Sequence, residues 1–317
     1  MFAMGKASRT KQAPDRRARI AAQREAARRA DQRKRIYLAG GSILAVIVIV
    51  VAFVLIKQNS GSSSGASASN GPTGTALTSL VNQTTSVPAS VLDQVGAGGS
   101  QVTAKPITLN GGTPLTSGGK PEMLYMGAEY CPYCAAERWA MIVALSRFGT
   151  FSGLATTHSA SKNGHGQAEV YPNTSTWTFA NAKYTSNYLT FTPVEMQTNI
   201  PDSSTGGYTN LQTPTSEQQA LMNKWNAPPY VPSGYQGSIP FIDFGNKYMI
   251  SGASYNPQVL AGKTWEQISA ALHDPSSQIA QAVNGTANYI TAAICKLTGN
   301  QPATACTSVV QSLQAKI

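Results

Sequence analysis

The 317-residue sequence contains little charge and little histidine. Charged residues make up 12% of the chain, about half the usual share, and only 14 residues are acidic. Low charge together with 42% hydrophobic residues excludes an intrinsically disordered chain, which shows the opposite balance. The three histidines, His158, His165 and His273, do not lie close to a cysteine in the sequence. Lone histidines of this kind are more often surface residues than metal ligands.

Net positive charge is absent from most of the chain. Residues 1–35 hold 12 basic and 3 acidic residues, which accounts for +9 of the overall charge of +10. From residue 58 onward, 11 basic residues balance 11 acidic ones. A nucleic-acid-binding domain needs a basic face on its folded part, so we expect no nucleic-acid partner. RNA binding by the basic arm is an alternative, but a role in membrane topology is favoured.

Charge is missing altogether between residues 36 and 56, a stretch rich in Val, Ile and Leu. A helix of this length rises about 31 Å, which matches a hydrocarbon core of about 30 Å, so a transmembrane helix is predicted. A cleaved signal peptide, with a small-residue site at 66–68, is the alternative. Its apolar region would usually span about 7–15 residues, so an uncleaved signal anchor is favoured.

The charge distribution also predicts the orientation and the domain boundaries. Twelve basic residues precede the span and only Lys57 follows it closely, which places the basic arm, 1–35, in the cytoplasm. Residues 57–76 are rich in Ser and Gly and form a flexible linker. Residues 77–317 form the main domain, so the expected location is the cell membrane, single-pass, with that domain extracytoplasmic.

Cysteine is scarce, with four residues that all lie on the predicted outer side. Outside the cytoplasm an even number of cysteines is interpreted first as disulfides. Cys295 and Cys306 follow and precede helical patterns, so a bridge between them would join a helical hairpin at about 276–317 and stabilise it by roughly 3 kcal/mol. A four-thiolate zinc site is the metal alternative. The ten-residue gap in this pair is unlike a zinc knuckle.

The other pair, Cys131 and Cys134, forms a Cys-Pro-Tyr-Cys motif between a predicted strand at 122–127 and a helix running to about Phe148. Unpaired N–H groups and the dipole at a helix N-terminus favour a thiolate at Cys131. A lowered pKa makes such a thiol a nucleophile and a leaving group in disulfide exchange. Cys134, one turn later, could then resolve a mixed disulfide.

Later in the chain, a Pro-led strand at 238–244 is followed by a turn, a second strand at 247–250 and a helix opened by Thr264-x-x-Gln267. The order of strand, CxxC, helix, Pro-led strand, hairpin partner and helix resembles the thioredoxin-like fold. In that fold a cis-proline loop faces the CxxC. The resemblance implies that Pro240 follows a cis peptide bond beside the active site.

Longer motifs resemble the family named for domain of unknown function 929. They include 127–139 around the CxxC, Val170-Tyr-Pro-Asn-Thr174 and 239–247 with its continuation to Tyr255. The resemblance implies an α/β fold in which a thioredoxin-like central mixed sheet is flanked by helices, behind one N-terminal transmembrane helix. Between the CxxC helix and the cis-Pro strand we expect an insertion at about 154–232. Five aromatic residues in or just after it could line a substrate groove, although ordinary packing between strands is favoured for each one: Tyr184, Tyr188, Phe191, Tyr230 and Tyr235.

The sequence departs from a plain thioredoxin below the CxxC. Thioredoxins carry a buried carboxylate there, whereas the strand before this motif offers Tyr125 and Met126. Glu129 and Glu137 remain as candidate acids. If neither reaches the thiols, proton exchange with Cys134 uses water, which makes an efficient reductase the less favoured activity.

These features predict a membrane-anchored thiol–disulfide oxidoreductase that acts on exported proteins without a cofactor. Its partners would be thiols or disulfides of those proteins and a redox partner that the sequence does not identify. The direction of electron flow and the oligomeric state stay open. One alternative is a non-catalytic binding or scaffold module of the cell envelope, in which the 131–134 disulfide is permanent. Another is copper or metal handling by the same two cysteines.

Overall fold

A mixed sheet built around one buried strand organises the molecule, which is described here from a computed structural model covering residues 71–317. The strands are β1 (Ile107–Thr108), β2 (Thr116–Ser117), β3 (Lys120–Gly127), β4 (Gly149–Ser152), β5 (Ala155–His158), β6 (Ser175–Thr178), β7 (Lys183–Ser186), β8 (Thr190–Glu195), β9 (Gln197–Pro201), β10 (Tyr208–Asn210), β11 (Phe241–Phe244) and β12 (Tyr248–Ser251).

Seven α-helices lie within the described residues. They are α1 (Gly74–Thr85), α2 (Ala89–Val95), α3 (Pro132–Leu145), α4 (Ser216–Trp225), α5 (Trp265–Ala271), α6 (Gln278–Leu297) and α7 (Ser308–Gln314). Two of these helices start at a capping box: Thr215 with Gln218 opens α4, and Thr264 with Gln267 opens α5 as the sequence pattern predicts. The predicted start of the domain near residue 77 falls within α1.

The main sheet has the strand order β8-β3-β11-β12-β1, with β2 paired to the start of β3. β3 runs parallel to β8 and antiparallel to β11, and the β11–β12 hairpin turns at Gly245 and Asn246. The fold is therefore a mixed α/β fold with helices packed on the sheet. Strand β8 lies inside the predicted 154–232 insertion but pairs with β3, so part of that segment belongs to the main sheet. The rest of the segment is added outside it. The other strands of the segment form the separate pairs β5–β6, β9–β10 and β4–β7, of which β4 lies just before residue 154.

Alternation along β3 divides the core into two layers. Met123 and Tyr125 pack among helices α3 and α6, while Leu124 and Met126 face the opposite side of the sheet toward α4. Helix α3 is buried along almost its full length because both the sheet and α6 pack against it. This packing holds the first turn of α3, which carries the Cys-Pro-Tyr-Cys motif, in one place.

The predicted transmembrane segment, 36–56, lies outside the described residues, as do the basic arm and most of the linker. Between residues 71 and 317, no helix combines the length and hydrophobicity that a membrane span requires.

Candidate functional site

The Cys-Pro-Tyr-Cys motif forms the N-terminus of α3. Cys131 is the N-cap residue, and its sulfur accepts a hydrogen bond from the Cys134 backbone N–H at 3.3 Å. Pro132 occupies the first helical position, where the missing N–H costs no intrahelical hydrogen bond. The local sequence therefore places one thiol against the unpaired N–H groups of the helix and the other one turn inside it.

The two thiols have opposite electrostatic environments. Burial raises the pKa of Cys131, but hydrogen bonds from the Cys134 side chain and backbone, the charge of Arg138 and the Tyr133 N–H together bring it below its ordinary value. Burial raises the pKa of Cys134 well above its ordinary value, and the hydrogen bond to Cys131 and the charge of Cys131 raise it further. The pKa values of the two thiols are thus shifted in opposite directions, and Cys131 is the more acidic of the pair.

The peptide bond between Ile239 and Pro240 is cis, and it lies beside Cys131. The Cys131 thiol donates to the Ile239 carbonyl at 3.8 Å, and the Pro240 carbonyl accepts from the Gly252 N–H at 2.8 Å. Pro240 follows Cys134 by 106 positions in the sequence, and the fold brings it beside the two thiols at the end of the central strand β3.

Cys295 and Cys306 are apart from this site and form a disulfide. The bond joins the end of α6 to the segment before α7, with an S–S distance of 1.97 Å. Both sulfur-bearing residues are buried, so the bond belongs to the packed hairpin. By contrast, Cys131 and Cys134 are unpaired thiols in the structure.

A buried ion pair lies beneath the motif. Arg138, one turn after Cys134 on α3, donates from Nε and Nη2 to the two carboxylate oxygens of Glu195, at 2.8 Å each. Its Nη2 also donates to the Ala128 carbonyl at 2.7 Å. Both charged side chains are fully buried, and Glu195 raises the pKa of Arg138 well above its ordinary value although burial opposes this. A permanent cation therefore lies under the loop that carries Cys131.

The comparison with known families depends on this same segment. The family model described as Domain of unknown function (DUF929) matches residues 108–296, which is more than half of the chain. The chain belongs to the DUF929 family. No curated protein and no solved structure matches it. The match includes both thiols of the motif, Pro240 and the ion pair, whereas Cys306 lies outside the matched residues.

In this DUF929 protein, Tyr125 lies on the strand before the motif, in the region where a thioredoxin carries a buried carboxylate. Its hydroxyl is buried without a hydrogen-bond partner among the described residues, and burial raises its pKa well above the ordinary value. A Cβ atom on Gly127 would overlap that hydroxyl. The phenol therefore stays protonated, close to the Arg138 guanidinium, which lies over its ring.

The two candidate acids of the sequence have other partners. Glu129 accepts from the Thr178 hydroxyl at 2.6 Å. Glu137 is fully buried and accepts from the backbone N–H and the hydroxyl of Ser254, at 2.8 and 2.9 Å. Burial raises the pKa of Glu137 to about 7, although both Ser254 hydrogen bonds lower it. Glu137 thereby ties α3 to the loop that contacts Pro240.

Two pairs of tyrosine rings lie beside the motif in this DUF929 protein, and one ring of each pair is next to a cysteine in the sequence. Tyr130 stacks on Tyr208 with ring centroids 4.1 Å apart, and Tyr208 donates to Glu169 at 2.5 Å. Tyr133 is 40% exposed and meets the edge of Tyr171. The sequence did not predict these two pairs, because Tyr171 and Tyr208 are distant from the motif in the chain and follow no local pattern that links them to it.

Only part of the predicted aromatic groove is found. A largely apolar cavity of about 750 Å³ lies beside the cis-Pro loop and is lined in part by Tyr230, Tyr235, Ser238 and Gly252. Tyr184, Tyr188 and Phe191 instead belong to or pack against the main core, which is the packing role that the sequence favours for each of them. Tyr184 lies on β7, Phe191 lies on β8, and Tyr188 lies in the short connection between these strands.

The metal alternative depends on a set of ligands around the thiols. Within residues 71–317, no cluster of three or more His, Cys, Asp and Glu side chains is close enough to bind one ion. The arrangement that the structure does provide is a dithiol with unequal pKa values next to the Ile239 carbonyl, which precedes cis-Pro240.

Proposed function

We propose that this DUF929 protein is a membrane-anchored, extracytoplasmic thiol–disulfide oxidoreductase with a thioredoxin-like fold, acting on exported proteins. One observation carries the proposal: the low-pKa thiol of Cys131 at a helix N-terminus lies 3.8 Å from the carbonyl of Ile239, just before cis-Pro240. A lowered thiol pKa increases the thiolate fraction that attacks disulfides.

The strand arrangement supports the thioredoxin-like part of the proposal. The motif follows the central strand β3, which has β8 parallel on one side and β11 antiparallel on the other. The cis-proline precedes β11, and the β11–β12 hairpin is followed by α5. This is the arrangement of strands, CxxC and proline that the sequence resemblance implies.

The proposed chemistry is thiol exchange in two steps. When the motif is reduced, the Cys131 thiolate attacks one sulfur of a substrate disulfide, and the other substrate sulfur leaves as a thiolate. Cys134 then loses its proton and attacks Cys131, which releases the second substrate thiol and oxidises the motif. The reverse sequence oxidises a substrate dithiol. Proline at position 240 has no N–H, so it leaves the thiol region free of a competing donor.

The localisation is proposed from the sequence. The apolar run at 36–56 and the excess of basic residues before it favour a single span with the main domain outside the cytoplasm. The Cys295–Cys306 disulfide is consistent with such an oxidising compartment.

Trapping of mixed disulfides tests the proposed activity. In Cys134→Ala the resolving thiol is gone, so full-length protein in intact cells should accumulate covalent adducts with exported proteins, which mass spectrometry identifies after non-reducing separation. The matched control is Cys131→Ala/Cys134→Ala, which keeps the fold but lacks the nucleophile. If the single and double variants show the same adducts, or none, the oxidoreductase proposal is rejected.

Burial of the motif favours a second candidate, a binding module whose 131–134 disulfide is permanent. Cys131 is only 4% exposed and Cys134 is fully buried, which limits access by a substrate sulfur. A permanent disulfide should have a reduction potential below about −300 mV. Equilibration of the full chain with dithiol buffers measures this potential, and a value well above that limit excludes the binding module.

A further inference from the structure

The unusual feature under the dithiol is a fully buried cation that a carboxylate anchors from a neighbouring strand. Arg138 comes from α3 and Glu195 ends β8, and their two parallel hydrogen bonds fix the plane of the guanidinium. Glu195 is itself held, because its Oε1 accepts from the Phe179 N–H at 3.3 Å. A buried ion pair of this kind is weak evidence for stability, so its presence points to another role.

The ion pair touches the active-site loop through a single carbonyl. The Ala128 oxygen accepts from Arg138 Nη2 at 2.7 Å and also from the Cys131 N–H at 3.3 Å. Arg138 also follows Cys134 by four residues, which places the two side chains on the same face of α3. The remaining guanidinium nitrogen, Nη1, is buried without a hydrogen-bond partner in the described part of the chain. The cation is therefore close to both thiols and has a free donor.

We propose that Arg138, oriented by Glu195, is a positioning residue that stabilises the reduced motif with Cys131 as thiolate, and so makes the oxidised motif an acceptor of electrons from substrate dithiols. This inference rests on the proposed function and adds the direction of electron flow, from the substrate to the motif. Other titratable groups face the dithiol from β3, the motif loop and β10: Tyr125, Tyr130, Tyr133 and Tyr208. They are neutral phenols: burial raises the pKa of each, and the charge of Cys131 raises it further.

Stabilising the Cys131 thiolate favours the reduced motif, and a disulfide whose reduced form is favoured is a stronger oxidant. Electrons are therefore expected to flow from the substrate to the motif. A substrate thiolate attacks Cys131 in the oxidised motif, and Cys134 leaves and takes a proton. A second substrate thiolate then attacks the substrate sulfur of the mixed disulfide and expels the Cys131 thiolate. Two electrons pass from the substrate dithiol to the motif, and a disulfide-bearing partner protein must reoxidise it.

The test compares variants that move the charge near Cys131 in opposite directions. Glu195→Gln keeps the cation and removes its counter-charge, whereas Arg138→Met/Glu195→Met removes both with apolar side chains of suitable length. The pKa of Cys131 is measured from the pH dependence of iodoacetamide alkylation of the reduced full-length protein. The equilibrium with glutathione is measured on the same preparations.

We expect the pKa of Cys131 to fall in Glu195→Gln and to rise by about one unit in the double variant. At a pH below both values, that rise lowers the alkylation rate about tenfold. An accompanying tenfold change in the equilibrium with glutathione corresponds to about 30 mV for this two-electron couple. Arg138→Lys retains the charge and should lie closer to the wild type than the double variant does.

Arg147→Met is the matched control, because Arg147 also carries a largely buried guanidinium. It comes just after the end of α3 and donates to Asn288 and Ala305, far along the chain. This variant should leave the pKa of Cys131 unchanged.

If folded Glu195→Gln and the folded double variant both keep the wild-type pKa of Cys131, the role of Arg138 is rejected. If the double variant fails to fold, the absence of a downward shift in Glu195→Gln is decisive on its own. An unreactive Cys131 in the wild type would instead reject the proposed function.

Discussion

Glu137 shows how one buried carboxyl couples the motif helix to the cis-proline loop. It lies one turn after Cys134 and holds Ser254, two residues beyond the Gly252 N–H that donates to Pro240. Since burial raises its pKa to about 7, the carboxyl is protonated in the folded protein over a pH range in which it is ionised in the unfolded chain. The loop contact therefore depends on pH.

Stability should fall with rising pH because of this group. Below its unfolded pKa of 4.5, both states are protonated and the contribution is complete; it is lost as the pH rises through about 7. The total change is on the order of 3 kcal/mol. Glu137→Gln should flatten the dependence of the denaturant midpoint between pH 5 and pH 8. Asp243, whose pKa burial also raises to about 7, contributes in the same direction, so Asp243→Asn provides the comparison.

An unchanged pH profile in Glu137→Gln would mean that the carboxyl does not carry this dependence. The Gln side chain keeps an oxygen that can accept from Ser254, so a loss of the loop contact does not account for a positive result. Alkylation of Cys131 at fixed pH, measured on the same variant, shows whether the loop contact also affects the thiol.

The α6–α7 hairpin is the element in which covalent chemistry supplements packing. Helix α6 is buried along most of its length against α3, whereas α7 has seven residues and contributes two buried apolar side chains, Val310 and Leu313. A helix this short is marginal without tertiary support. The Cys295–Cys306 bond therefore carries much of the attachment of α7.

Cys295→Ala/Cys306→Ala should lower the free energy of unfolding by about 3 kcal/mol, because the unfolded chain regains the entropy that an 11-residue separation removes. Chemical denaturation of the oxidised proteins measures this. The alkylation rate of Cys131 should stay at its wild-type value, since the hairpin is remote from the motif. A variant of unchanged stability would contradict the structural role, and a changed rate would contradict the separation of the two cysteine pairs.

Local sequence patterns predict the individual elements better than their arrangement. The strand at 122–127, the N-cap position of Cys131 and the capping box at Thr264 depend on adjacent residues, and the structure has each of them. The parallel pairing of β8 with β3 depends on register across some 70 positions, which no local pattern specifies. The same limit applies to Arg138 and Glu195. The only local signal for the Arg138–Glu195 pair is the charge of Arg138, which lies four positions after Cys134 on a helix with few polar residues.

At the scale of the whole molecule, an apolar run at 36–56 separates a basic arm from a main domain without net charge. We predict that full-length protein sediments with membranes and that alkaline carbonate does not extract it, whereas a variant lacking residues 36–56 does not stay with the membrane. Protease added to intact spheroplasts should cut the linker at 57–76 and release the main domain, with a cytoplasmic protein as the lysis control. Protection of the main domain from that protease would reverse the proposed orientation.

The close approach of Tyr125 to Gly127 has a consequence for the evolution of this family. A side chain at position 127 would overlap the Tyr125 hydroxyl, so neither residue can be exchanged freely while the other is kept. Family members that carry a smaller residue at the position of Tyr125 gain room for a side chain at the position of Gly127. The two positions should therefore covary among DUF929 sequences, and pairs that combine a large residue at both should be rare.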